Sequence, residues 1–114
     1  ELSIAFLSKE EIALVHHRFM QDDSVTDVIT FPGDPKDGIA GEICVCPQVA
    51  LDYSKIHQTN FSEELSLYLT HGYLHLCGFD DINDDDRSEM RKAETNAMST
   101  LKEHNAIPAF EFQP

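Results

Sequence analysis

Positive charge is scarce in this chain. Only 8 of its 114 residues are Lys or Arg, against 21 Asp and Glu, for a formal net charge of -13. So acidic a molecule repels phosphate backbones unless its few cations gather in one cleft, which counts against casual nucleic-acid binding. Cysteine is scarce too. The three residues Cys44, Cys46 and Cys77 form neither a disulfide framework nor a four-cysteine zinc site, and they predict small buried apolar side chains in a reducing cytoplasm. No apolar run approaches the roughly 20 residues of a membrane span, and no signal-peptide pattern opens the chain. Internal repeats, low-complexity tracts and dividing linkers are also missing. What remains is 41% hydrophobic and 25% charged. That predicts a single domain over residues 1–114 with a modest core.

Strand signals come early and helix signals late, which predicts an α+β fold: a small mixed sheet of about three strands flanked by about four helices. Leu2 to Leu7 reads as a strand with Ile4 and Phe6 on one face. Ser8, with Glu11 three residues on, is a capping box for a helix over about Lys9–Met20, whose Ile12, Val15 and Phe19 face the core. Val25 to Phe31 is rich in β-branched residues and stops at Pro32. Glu42 to Cys46 is a third strand, stopped by Pro47, which suits the first turn of a helix to about His57. Ser62 fits the cap of the next helix, apolar nearly all round and so central. Met90, Ala93, Ala97, Met98 and Leu101 mark a last amphipathic helix, and 103–114 carries no pattern and reads as a loose tail.

The chemistry concentrates in His71-Gly72-Tyr73-Leu74-His75-Leu76-Cys77-Gly78-Phe79-Asp80-Asp81. Two histidines four apart share one face of a helix and can grip a single ion. Gly78 can end that helix in a left-handed conformation, and the returning chain brings Asp81 round as a third ligand. A metzincin protease has this spacing, H-E-x-x-H-x-x-G-x-x-H. Here Gly72 replaces its catalytic glutamate and Asp81 its third histidine, so a metal site at the end of a buried helix is kept while the protease's base is gone. Core hydrogen bonds would also satisfy two buried imidazoles, but Gly78 and the carboxylate at this spacing favour a metal. Two imidazoles and one carboxylate suit zinc with an open fourth position, and other divalent metals fit mixed N/O ligation. Asp80 is the competing ligand, though its place next to Asp81 better suits a residue that supports the site or stabilises the turn. His16, His17, His57 and His104 read as surface or helix-end residues. The carboxylates Asp84 to Asp86 read as a solvated helix start.

These residues resemble the YbeY family of bacterial endoribonucleases. His71 to Asp81 is similar to that family's H-G-x-L-H-L-x-G-[YF]-D-H at every fixed position but the last. Thr26-Asp27-Val28-Ile29-Thr30-Phe31-Pro32 resembles its T-D-V-L-S-F-P strand. Gly41-Glu42-Ile43 stands where the family has G-D-I, and Glu89-Met90 and Glu94 echo its last helix. The likeness runs from about Leu2 to Leu101, with the family's earlier strand and helix expected before Leu2 and not found here.

The resemblance implies cytoplasmic cleavage of single-stranded RNA, with zinc in a cleft, during ribosomal RNA maturation and ribosome quality control. It implies His71 and His75 as metal ligands, with Asp81 in the third position. Two departures stand out. An anionic Asp81 lowers the site's net positive charge, hence its Lewis acidity or its metal preference. The family's phosphate-engaging arginine falls on Met20 in an ungapped alignment. Arg18, two residues away, takes that catalytic role only across a two-residue gap; otherwise it is a surface cation. Glu42 is a candidate base, or an ordinary strand-end carboxylate. The alternative function is a ribosome-assembly module with weak or absent catalysis, docking its acidic face on small-subunit ribosomal proteins. A structural zinc would need a fourth protein ligand, and none stands nearby in the sequence.

Overall fold

A computed structural model of the chain describes residues 1–113. Three strands, β1 (Leu2–Phe6), β2 (Val28–Pro32) and β3 (Gly41–Val45), form a mixed sheet in the order β1-β3-β2. β3 pairs parallel with β1 and antiparallel with β2. Four helices complete the fold: α1 (Lys9–Met20), α2 (Pro47–His57), α3 (Phe61–Leu76) and α4 (Asp84–Glu103). This is the α+β arrangement that early strands and late helices predict.

Alternation along β3 decides what lies on each face. Cys44 and Cys46 join Ile29 of β2 and Ile12 of α1 in one buried cluster. Val45 points the other way, into a cluster with Ala50 of α2 and Leu65 and Tyr68 of α3. The sheet therefore carries α1 on one face and α2 and α3 on the other, with α4 packed against α3. α3 is the central helix because it alone touches β2, β3, α2 and α4 extensively.

Helix ends follow local chemistry. Ser8 and Glu11 form the full capping box at the start of α1. At α3 the cap is Asn60, whose side chain accepts from the Glu63 N–H at 2.9 Å. Ser62, expected as the cap, sits inside the first turn and accepts instead from the Phe110 N–H at 2.9 Å. That bond ties down a tail expected to be loose. Phe110 and Phe112 also meet Phe6 and Phe61 edge to face.

Three further expectations are corrected. Phe19 is 61% exposed and leans on Phe31 rather than entering the core. β2 begins at Val28 rather than Val25: the Cys46 N–H still donates to the Asp27 carbonyl at 2.9 Å, and the paired strand starts at the next residue. Cys77 is exposed, while Cys44 and Cys46 are buried as expected.

Candidate metal centre

The last two turns of α3 build the centre. Gly72, between the two histidines, is buried where α3 presses on the sheet. A Cβ there would lie 2.9 Å from Ile43 Cγ2 and 3.2 Å from Thr30 Cγ2 and Val28 Cγ2. The close approach sets the rotation of α3, and with it the direction in which His71 and His75 point.

α3 then ends in a Schellman motif. The Gly78 N–H donates to the His75 carbonyl at 3.1 Å and the Phe79 N–H to the Leu74 carbonyl at 3.0 Å. Gly78 has φ +105°, which a residue with a Cβ rarely adopts. This turn folds the chain back, and Asn83 starts α4 by accepting the Asp86 N–H at 2.8 Å. Asp81 lies on the short loop between the two caps. Asp80 accepts the Asp81 N–H at 3.3 Å and so serves the turn.

Three donor atoms converge as a result. His75 Nε2 lies 3.1 Å from His71 Nε2, and Asp81 Oδ2 lies 3.6 Å from the former's partner His71 and 3.5 Å from His75. Ligands at about 2.0–2.1 Å from a tetrahedral zinc stand about 3.3–3.4 Å apart, so this triangle has the size of one tetrahedral face. The donor set of two imidazoles and one carboxylate fits a divalent cation in chemistry as well as in dimension. Among the described residues, no other His, Cys, Asp or Glu group of three or more converges in this way.

Two residues to which the sequence assigned no role support the centre. Glu94 of α4 places Oε2 3.3 Å from His71 Nδ1. A carboxylate behind a ligating imidazole fixes the ring and its tautomer. Its signal was present: Glu94 lies four residues after Met90 and three before Ala97, in the apolar stripe of α4, where a charge needs a partner. Arg87 holds the loop, donating from Nη1 to the Asp81 carbonyl at 3.4 Å and to the Ile82 carbonyl at 3.2 Å, and pairing with Asp84.

The remaining candidates do not join them. Arg18 is exposed in the last turn of α1, a helix packed on the sheet face opposite α3. Glu42 faces the α1 side as well. It lies beside Cys44, whose thiol is pushed up to about 11 by burial and then by the Glu42 charge. His16 and His17 pair with Asp22 and Asp23 at the end of α1.

Residues 1–102 match the family described as Endoribonuclease YbeY. The chain belongs to the YbeY endoribonuclease family. The Endoribonuclease YbeY of Protochlamydia amoebophila is 42% identical over 106 residues, covering 90% of this chain and 71% of that protein. The Endoribonuclease YbeY of Chlamydia pneumoniae is 34% identical, covering 94% of this chain and 73% of its own. Among solved structures, the solution structure of TM1509 from Thermotoga maritima superposes with a TM-score of 0.68 at 30% identity. It covers 99% of this chain and 76% of that one. Membership of the YbeY family agrees with the resemblance drawn from His71 to Asp81 and from Thr26 to Pro32. No helix of the described residues is long and apolar enough to cross a membrane.

If Glu94 orients His71, removing it should weaken metal binding while leaving the fold intact. Glu94→Ala is expected to raise the metal dissociation constant roughly 10- to 100-fold, and Glu94→Gln less. Competition with a chromogenic chelator measures this directly. Equal affinity in wild type and Glu94→Ala would show that the contact is incidental.

Proposed function

We propose that this chain is a metal-dependent endoribonuclease of single-stranded RNA, with zinc on His71, His75 and Asp81, acting in ribosomal RNA maturation. The observation that carries this reading is the triangle of donor atoms at the end of α3, in a chain of the YbeY endoribonuclease family. A divalent cation there supplies Lewis-acid polarisation of a phosphoryl oxygen and makes water more acidic.

The chain's own residues do the rest. His71 and His75 project from one helix face, so their separation is fixed by backbone geometry rather than by flexible loops. Glu94 holds the His71 ring, and Arg87 holds the backbone that carries Asp81. Both supports come from α4, so the docking of α4 on α3 positions His71 and Asp81 together. Gly72 leaves no carboxylate where a zinc protease carries its base, and this argues against peptide hydrolysis. Glu42 lies across the sheet and has no part in proton transfer at the centre.

The test combines elemental mass spectrometry of the purified protein with cleavage of a labelled single-stranded RNA. About one zinc per chain and cleavage lost to chelator and restored by metal support the proposal. Activity that survives both chelator and His71→Ala overturns it, since that activity would be a contaminant's. Asp81 has its own expected outcome. Asp81→Ala should loosen the metal by at least about tenfold, and Asp81→His, which installs the histidine of the family signature, should tighten it. Metal affinity unchanged in both variants would show that the carboxylate points away from the ion.

A further inference from the structure

The few cations of this acidic chain are not evenly spread. Of its 8 Lys and Arg residues, Arg87, Arg91 and Lys92 fall within six positions on one helix. The other five are scattered over α1, the β2–β3 connection, α2 and the end of α4. A shallow groove runs along this face of α4, lined by Arg87, Ser88, Arg91, Lys92, Thr95 and Asn96, with Asp84 at its end. Every one of these residues is exposed. The spacing i, i+1, i+4, i+5, i+8, i+9 is one stripe of a helix, mixing cationic donors with neutral hydroxyl and amide donors.

The stripe adjoins the candidate metal centre. Arg87 bonds the backbone of the Asp81 loop, and Arg91 follows four residues later, about 40° round the helix. Arg91 is also about 60° from Glu94, the residue behind His71. The cations therefore lead outward from the metal ligands along α4. Arg87 and Lys92 pair with Asp84 and Glu89 on the same helix, and such exposed pairs are weak enough to exchange for a phosphate. Arg91 has no acidic partner within ion-pair distance among the described residues.

We infer that the Arg87–Arg91–Lys92 face of α4 is a track for the phosphate backbone of the RNA strand, delivering it to the centre held by His71, His75 and Asp81. The inference rests on the endoribonuclease reading above and adds to it the residues that hold the substrate. Charge complementarity selects the occupant: in a molecule of net charge -13 whose α4 also carries Asp85, Asp86 and Glu89, the groove's own lining sets Arg87, Arg91 and Lys92 against the single carboxylate of Asp84. Ser88, Thr95 and Asn96 offer neutral donors to phosphate and sugar oxygens, which read no sequence.

The test is binding of a fluorescein-labelled single-stranded 20-mer RNA to the chelated, full-length protein, followed by anisotropy at several salt concentrations. Arg91→Ala/Lys92→Ala is expected to weaken binding about tenfold and to lower the slope of log affinity against log salt by about 1.4, two phosphate contacts at 0.7 each. Arg91→Lys should keep the slope, and Lys55→Ala on α2 should change neither quantity. Wild-type binding with an unaltered constant and slope in the double variant overturns the track and leaves the nuclease reading standing. RNA binding absent in wild type also overturns it; RNA cleavage by the metal-loaded protein then decides separately whether the nuclease reading survives. A drop confined to a poly-glutamate probe, with RNA binding unaltered, overturns it in favour of an acidic protein as the occupant.

Discussion

His75→Ala is expected to remove metal binding, to lower the melting temperature by on the order of 10 °C, and to reduce RNA cleavage by more than about 100-fold. The stability effect follows from mass action. A metal present at about 100 times its dissociation constant stabilises the folded state by about 2.7 kcal/mol, provided the unfolded chain binds it poorly. For a domain of this size each kcal/mol moves the melting temperature by several degrees, roughly 3–6 °C. The cleavage effect follows because three ligands are the minimum for an open catalytic site, and two hold an ion poorly. Losing an imidazole also alters packing, so the decisive comparison is between chelated and metal-loaded samples of each protein. Chelation should lower the wild-type melting temperature by a similar amount and leave that of His75→Ala where it is. Equal melting temperatures for chelated and loaded wild type would contradict the proposed centre without reference to activity.

RNA cleavage, rather than the chelator shift, separates the nuclease from the alternative ribosome-assembly module. A module without catalysis could keep the metal as a fastener, showing the chelator shift with no cleavage. The open geometry at the centre argues otherwise. The ligands form one face of a tetrahedron, and a structural zinc closes the fourth corner with a protein side chain. Asp81 is an exposed residue on a loop, which leaves the centre accessible to an extended strand.

Much of this was legible in the sequence because it rests on local rules. The capping box at Ser8 and Glu11, Pro47 at the start of α2 and Gly78 beyond the end of α3 each act within one or two turns of themselves. The convergence of His71, His75 and Asp81 was legible for the same reason: a helix face and one tight turn bring the three side chains together within eleven residues. What local rules do not reach is any choice made by a distant contact. Asn60 and Ser62 are both good N-caps, and Ser62 is diverted by the Phe110 N–H, 48 residues away. Phe19 has the spacing of a core residue, yet it lies against Phe31 on the edge strand β2 and stays largely exposed. Glu94 and Arg87 acquire roles only when α4 docks on α3. The candidate base Glu42 failed on a point of parity, since β3 presents its odd positions to α3 and its even ones to α1.

Gly72 carries the second large effect. Read as chemistry, it is the place where a protease would have glutamate; read as packing, it is where α3 touches the sheet. Gly72→Glu is expected to destabilise the protein by at least about 4 kcal/mol, a large share of the roughly 5–15 kcal/mol that holds a domain folded. The first contribution is steric. Its Cβ would meet methyls of Ile43, Thr30 and Val28 at 2.9–3.2 Å, and all three are β-branched residues with stiff side chains on paired strands. Overpacking of this kind costs about 1–3 kcal/mol. The second is electrostatic, because a carboxylate forced into an apolar seam without a partner costs several kcal/mol more or must be protonated. Gly78→Ala provides the contrast: nothing lies within 4 Å of its Cβ position, so only the backbone strain at φ +105° remains, about 1–2 kcal/mol. Urea denaturation of the three proteins measures both differences. A Gly72→Glu midpoint close to wild type would mean that α3 can lift from the sheet at no great cost. In that case the rotation of α3, and with it the aim of His71 and His75, would not be set by Gly72. The expected collapse would instead show that the residue that excludes the protease's base is the residue that aims the metal ligands.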